Sequence, residues 1–341
     1  MLPHLASERG AGLGLTLGRH ILIQQQRFPE YAGPLSILLH QIAFAGKVLA
    51  REIGRAALIG KLGLIGDKNP TGDSQKKLDV YSNEIVLDAL GETGVVHSVV
   101  TEELKDIHVV PDAGGAEYVV CVDPLDGSSN TDINGALGTI FGVFPRAKGT
   151  GDAAPFLRRG AEQVMAGYIL YSTSTLLVYS MGRGVYGFTL DRDLGDFLLS
   201  HDNLRCPARG KTYSANVAHS PEWSPNIQKY VDYLTSQDAA TQRPYSLRYT
   251  GALVADVHRC LVEGGLYFYP SDPGHKQGKL RLLYECAPLG YIVEQAGGKA
   301  SNGLQRILDL PAESIHQRSA LAIGSPEDIA LYDRFFLDGR A

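Results

Sequence analysis

The chain has 341 residues, 44% of them hydrophobic and 20% charged, with a formal net charge of −5. That length is more than one small core serves, and it suits two fused parts of ordinary soluble composition. The acidic balance excludes nucleic acid as the main partner, because phosphate-backbone binding needs a basic surface; it still allows phosphorylated ligands whose charge is met by cations.

Residues 1–30 read as irregular, with several glycines. Met1 to Gly18 lacks a long apolar core, so no signal peptide is expected. From Leu35 to about Ala57 the positions Leu38, Ile42, Ala45, Leu49 and Ile53 recur at helical spacing. Leu78 to Leu90 repeats that spacing through Tyr81, Ile85 and Ala89, with Gly91 where a C-terminal cap would sit. Two Val-rich runs then end in acid: Val95–Val100 leads into Glu102-Glu103, and Tyr118–Val122 leads into Asp123. Both predict buried strands, whose C-terminal ends commonly face ligands in layered sheet proteins.

Beyond Gly138 the spacing shortens. Thr139–Phe144, Val164–Tyr171, Thr175–Met181, Gly184–Leu190 and Phe197–Leu199 predict an antiparallel meander, with an exposed loop over residues 146–160. Val164 to Gly182 carries no charge and is nearly long enough to cross a bilayer, but Tyr171–Thr175 forms a polar turn in its middle, so no membrane partner is expected. In the second half, Ala252–Glu263 and Leu280–Ala296 predict helices around a strand at Leu266–Tyr269. Ser325-Pro326 predicts the start of a final helix. The elements give a mixed α/β (α+β) class, with a boundary near residue 205 separating parts 1–204 and 205–341.

The four cysteines, Cys121, Cys206, Cys260 and Cys286, show neither zinc-ligand spacing nor a disulfide framework. They read as buried small hydrophobes of a cytoplasmic protein. Gly210-Lys211-Thr212 fails as a P-loop, since Arg205 stands where the first glycine is required.

The chemistry concentrates at Asp123-Pro124-Leu125-Asp126-Gly127-Ser128-Ser129-Asn130. Pro124 is expected to end the strand and force a turn. Two carboxylates three residues apart on that turn can converge, with the Leu125 carbonyl between them, on a hard cation such as Mg²⁺. Gly127 lets backbone approach a ligand, and Ser128 to Asn130 favour a helix start whose free N–H groups suit a phosphate. Adjacent acids such as Glu102-Glu103 are most often solvated, but these end a strand close in sequence to Asp123, where crowded carboxylates need cations or shifted pKa values.

Several strings now resemble one family, the class I fructose-1,6-bisphosphatases. They are Thr71-Gly72-Asp73, Gln75–Val80 with Ser82-Asn83, Glu102-Glu103, Tyr118–Asn130, Gly138–Gly142, Val254–Arg259 and Gly278–Cys286. The resemblance extends from about Thr16 to Leu337. It implies a layered α-β-α-β-α sugar-phosphatase fold, a homotetramer, and hydrolysis of the 1-phosphate of fructose 1,6-bisphosphate with two or three Mg²⁺ ions, for which Mn²⁺ can substitute. By position it makes Glu102, Asp123, Leu125, Asp126 and Glu285 metal ligands, with Asp73 approaching a further metal. Asp79 and Glu103 become general bases, and Asp126, Gly127, Ser128 and Ser129 hold the 1-phosphate. Asn216, Tyr249, Tyr269 and Lys279 bind the sugar and 6-phosphate, and Arg248 reaches that phosphate in a neighbouring subunit.

The chain departs from the AMP-inhibited members. Ala32-Gly33-Pro34-Leu35-Ser36 lacks their first Thr and their Glu, Glu117 stands where they have lysine, and Pro145 where they have arginine. Strong AMP inhibition through that site is therefore not expected. His219 replaces a tyrosine expected on the same strand as Asn216. A sedoheptulose-1,7-bisphosphatase or dual-specificity enzyme is the nearest alternative, and a catalytically silent sugar-phosphate sensor a more distant one.

Overall fold

The Val-rich run before Asp123 is the centre of a large sheet, and its side chains alternate between two cores. Val119 and Cys121 face one, while Val120 and Val122 face the other. This is the period of two that a strand buried on both faces requires. The computed structural model describes residues 14–29, 33–69, 72, 74–147 and 153–339.

The N-terminal elements are α1 (Leu17–Arg27), α2 (Pro34–Ile53), β1 (Leu64–Lys68), β2 (Ser74–Lys76) and α3 (Lys77–Gly91). Next come β3 (Val96–Thr101), β4 (His108–Val109), β5 (Tyr118–Asp126), β6 (Leu137–Pro145), β7 (Met165–Tyr171), β8 (Thr175–Ser180), β9 (Tyr186–Asp191) and β10 (Asp196–His201). The second half holds β11 (Thr212–Ser214), α4 (Pro225–Thr235), β12 (Ser246–Leu247), α5 (Leu253–Glu263), β13 (Leu266–Tyr269) and β14 (Leu280–Arg281). It ends with α6 (Ala287–Gln295), β15 (Lys299–Ser301), β16 (Arg318–Ser319), β17 (Leu321–Gly324) and α7 (Pro326–Asp338).

Eight strands form one sheet in the order β10-β9-β8-β7-β6-β5-β3-β4, and five form another in the order β12-β11-β13-β17-β15. Within the large sheet β3 and β5 run parallel, so Glu102 and Asp123 leave neighbouring strands at the same end. Three apolar cores separate five layers. Helices α1 to α3 pack on one face of the large sheet through residues such as Leu38, Leu78, Val120 and Phe141. On its other face, α5 and α6 lie between the two sheets, through Val257, Ile292, Tyr168 and Ile323. Beyond the small sheet, α4 and α7 enclose Phe268 with Tyr230 and Tyr332. The architecture is α-β-α-β-α, as the resemblance implied.

Several expectations change. Residues 17–27 form a helix where an irregular segment was expected; the Thr16 hydroxyl caps it, accepting from the Arg19 N–H at 3.2 Å. His20 and Gln24 occupy buried positions of that helix and break the apolar stripe that would reveal it. Gly91 lies inside α3, and the left-handed turn comes at Gly94, with φ 67°. Leu280–Ala296 is not one helix: a short strand and a π-helical turn at Leu282–Cys286 precede α6. The loop after β6 is not wholly exposed, because Phe156 drops into the core between the sheets.

Nor does β5 end before Asp123. It resumes pairing with β6 at Asp126↔Gly138 after a register shift that begins past Asp123↔Ile140. Pro124 has no N–H to give the ladder, so the strand bulges there instead of stopping. All four cysteines are buried and free. Among the described residues no helix is long and apolar enough to cross a membrane.

Candidate active site

The bulge at Pro124 turns both aspartates into a cavity of about 440 Å³ at the C-terminal ends of β3 and β5. Asp123 is buried and accepts the Leu125 N–H at 3.0 Å, which tightens the turn. Asp126 reaches across to the second half of the chain. Its Oδ1 accepts the Leu253 N–H at 3.1 Å and its Oδ2 the Val254 N–H at 2.8 Å. These are the first N–H groups of α5, which have no partner inside the helix and carry its positive dipole end.

Gly127 follows in the left-handed region, at φ 76°, and starts a 3₁₀ turn over Ser128–Ile133. A Cβ at Gly127 would lie 2.6 Å from the Ala252 Cβ and 3.1 Å from the Ala252 Cα. Gly127→Ala is therefore expected to cost at least about 1–2 kcal/mol from backbone strain alone, and to push the loop away from α5. A lowered melting temperature together with a reduced turnover number is the expected readout; an unchanged melting temperature would show that the loop relaxes freely.

Lys76 fixes the 3₁₀ turn from the other side. Its Nζ donates to the Thr131 hydroxyl at 2.8 Å and pairs with Asp132 at 2.9 Å. The Lys76 N–H donates to Asp79 Oδ2 at 2.7 Å. Asp79 Oδ1 is buried and accepts no hydrogen bond of standard geometry. Burial raises the Asp79 pKa to about 6 against the pull of the Lys76 N–H, and the Ser128 hydroxyl exerts only a minor further pull. Glu103 is held by the Gln75 amide at 2.5 Å, and burial pushes it up to about 8. Burial also raises Asp123, with Glu102 and Asp126 adding to the effect, and raises Glu285.

Seven carboxyl groups (Asp79, Glu102, Glu103, Asp123, Asp126, Asp256 and Glu285) line this one cavity against the cations Lys76, Lys279 and Arg281. Arg281 bridges two of the acids, 2.5 Å from Glu102 and 3.8 Å from Glu285, and its N–H also donates to Glu285. Among the described residues no three Asp, Glu, His or Cys side chains form a ready-made metal cage. The donor set nevertheless fits a hard divalent cation: its ligands are all oxygen, its acids are crowded enough to raise their pKa values, and one buried carboxylate oxygen lacks a partner.

Of the residues singled out from sequence, Asp79, Glu102, Glu103, Asp123, Leu125, Asp126, Gly127, Ser128, Ser129, Asn216, Tyr249, Tyr269, Lys279 and Glu285 all line the cavity. Arg248 does not; it is exposed, with its guanidinium donating to the Leu247 carbonyl at 2.8 Å. Asp73 lies outside the described residues. Asn216 and His219 are not on a strand: Asn216 caps a 3₁₀ turn, Val217–Glu222, that contains His219. Lys76, Asn69, Asp256 and Arg281 also line the cavity and were not anticipated from sequence. Asp256 carried a legible signal, an acid set among the buried apolar positions Leu253, Val254, Val257 and Cys260 of α5.

Comparison with known proteins finds matches along most of the chain. The family model described as "Fructose-1-6-bisphosphatase, N-terminal domain" matches residues 15–202, and the corresponding "C-terminal domain" model matches residues 206–336. The chain is 56% identical over 322 residues to a protein of Acaryochloris marina named "Fructose-1,6-bisphosphatase class 1 2", covering 94% of this chain and 97% of that one. It is 45% identical over 327 residues to a "Fructose-1,6-bisphosphatase class 1" of Chlorobium phaeovibrioides, covering 94% and 97%. The crystal structure of Leishmania major fructose-1,6-bisphosphatase in holo form superposes with a TM-score of 0.89 at 37% identity, covering 95% of this chain and 99% of that one. With both halves matched and relatives this similar along nearly their full length, the chain belongs to the class 1 fructose-1,6-bisphosphatase family.

Proposed function

We propose that this chain hydrolyses the 1-phosphate of fructose 1,6-bisphosphate in a Mg²⁺-dependent reaction, releasing fructose 6-phosphate and inorganic phosphate. The supporting observation is that one cavity joins a crowded carboxylate wall to a loop able to bind phosphate and to Asn216, Tyr249, Tyr269 and Lys279. In this reading residues 1–204 supply most of the metal and phosphate end, and residues 205–341 supply the sugar-phosphate end. Asp256 and Glu285 are the second part's acids in the wall, and Arg281 is the cation it sets against them.

Glu102, Asp123, the Leu125 carbonyl, Asp126 and Glu285 would hold two or three Mg²⁺ ions, with Asp73 as a further donor. A divalent cation held by these residues would supply charge neutralisation for the phosphoryl group and would make the attacking water more acidic. The protein's own groups do the rest. The Asp126–Ser129 loop orients the 1-phosphate for in-line attack, since phosphoryl transfer needs positioning and charge neutralisation more than covalent help. Asp79, with one oxygen anchored by the Lys76 N–H and the other unpartnered, takes the proton of the attacking water. Glu103, oriented by Gln75, shares that task. The water oxygen bonds to phosphorus, the bond from phosphorus to the sugar O1 breaks with its electron pair going to O1, and O1 takes a proton from solvent, to which Asp79 returns the one it accepted. Lys279, Asn216, Tyr249 and Tyr269 fix the 6-phosphate end. Arg248, exposed and not among its own cavity's lining residues, suits a homotetramer in which it serves a neighbouring subunit. Four buried free thiols fit a cytoplasmic setting.

AMP control through the family's usual site is not expected. Glu117 is exposed at the start of β5, beside Pro145, and would repel a nucleotide phosphate. Arg146 is committed to the Gly114 carbonyl at 3.0 Å, and Ser36 accepts the Gln25 amide at 2.6 Å. One assay tests these points together. Phosphate release from fructose 1,6-bisphosphate should stop with EDTA, return with Mg²⁺ or Mn²⁺, and be insensitive to AMP. Faster release from sedoheptulose 1,7-bisphosphate would reassign the substrate, and no release from any sugar phosphate would favour a silent sensor.

A further inference from the structure

Two buried polar side chains outside the roles above grip the two backbone polar groups of a single residue, Thr250. Asn130, 7% exposed, closes the 3₁₀ turn that follows Gly127; its Nδ2 donates to the Thr250 carbonyl at 3.1 Å and to the Ala136 carbonyl at 3.0 Å. Asp256, 0% exposed, accepts the Thr250 N–H with both carboxylate oxygens, at 3.0 and 3.2 Å. The Thr250 hydroxyl in turn accepts the Ala252 N–H at 3.3 Å. Thr250 adjoins Tyr249, a lining residue of the cavity's sugar end, and Gly251, whose φ of 79° turns the chain toward α5.

The segment from Tyr249 to Val254 is thus fastened to the phosphate loop at two points, by Asn130 at Thr250 and by Asp126 at Leu253 and Val254. Asn130 is 120 residues from Thr250 in sequence, so the link joins the two halves of the molecule directly. Asp256 directs both carboxylate oxygens mainly at Thr250, with lesser pulls from Ser214 and Gly251, and a buried carboxylate committed in this way is costly unless the geometry it enforces matters. We infer that Asn130 and Asp256 are positioning residues that set Tyr249 against the Gly127–Ser129 loop, so that binding of the distal phosphate aligns the loop handling the phosphate being removed. This rests on the sugar-bisphosphate reading. In such an arrangement, binding energy from the remote part of the substrate is realised at the reacting centre, and appears in turnover more than in affinity.

The test compares fructose 1,6-bisphosphate with fructose 1-phosphate, which keeps the reacting phosphate and lacks the distal one. The preference is the ratio of the two kcat/KM values, measured for the unmodified enzyme, Asn130→Asp, Asp256→Asn and the double variant, each with its melting temperature. Asn130→Asp keeps the shape and removes the donor. Each single variant should lower the preference by about tenfold, the usual scale for losing one buried hydrogen-bond partner, mainly through kcat on the bisphosphate. The double variant should lose clearly less than the product of the two, since both side chains hold the backbone of one residue. An unchanged preference with a lowered melting temperature would make the pair merely structural and overturn the inference. Should Asp256→Asn fail to fold, Asn130→Asp alone decides by the same criterion. If the unmodified enzyme shows no preference for the bisphosphate, the substrate reading and this inference fall together.

Discussion

Asp126→Asn is expected to reduce kcat by roughly 10²- to 10³-fold, on the scale of removing one preorganised electrostatic group from an active site. Two effects combine. The first is loss of a negative oxygen from the acidic wall, where an amide oxygen is a far weaker partner for a divalent cation. The second is geometric. Both carboxylate oxygens accept backbone N–H groups, from Leu253 at 3.1 Å and Val254 at 2.8 Å. An amide can accept only one of these in either orientation, and its NH₂ then faces the other donor at a buried site. An unsatisfied buried donor costs about 1–3 kcal/mol, so the first turn of α5 should retreat, carrying Tyr249 and Gly251 with it. Steady-state kinetics with Mg²⁺, beside a melting curve, measures both effects. Asp126→Asn with a native melting temperature and full kcat would overturn the assignment of the loop. A lowered kcat that saturating Mg²⁺ restores would show that Asp126 contributes only affinity for the ion.

Legibility from sequence divided along contact distance. Local patterns carried far: the spacing of Leu38, Ile42, Ala45 and Leu49 marked α2, and the Val-rich runs marked β3 and β5. The acids were visible because they come directly at the ends of those apolar runs, Glu102 just past β3 and Asp123 at the bulge of β5. What could not be read was how distant segments complete the site. Asp126 is satisfied by Leu253 and Val254, more than a hundred residues away, and nothing local to Gly127 announces that α5 begins there. Arg281 was hidden for a different reason. Inside a run of Leu, Tyr and Arg that reads as continuous helix, a short strand and a π-helical turn bring it back onto Glu102 and Glu285. Helical periodicity has no signature for a single wide turn, and such turns often lie at functional sites. At α1, the buried His20 and Gln24 broke the apolar repeat, so tertiary packing supplied what the pattern lacked.

The acidic wall also predicts how Mg²⁺, pH and stability are linked. In the metal-free protein Glu103 is raised by burial to about 8 and Asp79 to about 6. A carboxyl with a raised folded-state pKa favours folding when protonated. Its contribution is full below the unfolded value, 4.5 for Glu103 and 3.8 for Asp79, and is lost as pH rises through about 8 and about 6 respectively. Metal-free protein should therefore melt at progressively lower temperature between about pH 4 and pH 8 as far as these groups decide it. A divalent cation reverses the trend, because an adjacent positive charge favours the ionised carboxylates and its ligands must shed their protons. The rise in melting temperature given by Mg²⁺ should accordingly be larger at pH 8 than at pH 6. Binding near pH 7 should release at least about one proton, because Asp123, Asp126 and Glu285 are raised alongside Glu103, so affinity should climb by about tenfold or more per pH unit. Isothermal titration in buffers of differing ionisation enthalpy counts the protons, and melts with and without EDTA follow the stability. Replacing Glu103 by Gln removes the most strongly raised of these two titrations and should flatten the pH dependence of the metal-free melts above pH 6. If Mg²⁺ stabilises equally at both pH values and no proton is released, the carboxylates are already ionised and the cation is held somewhere other than this wall.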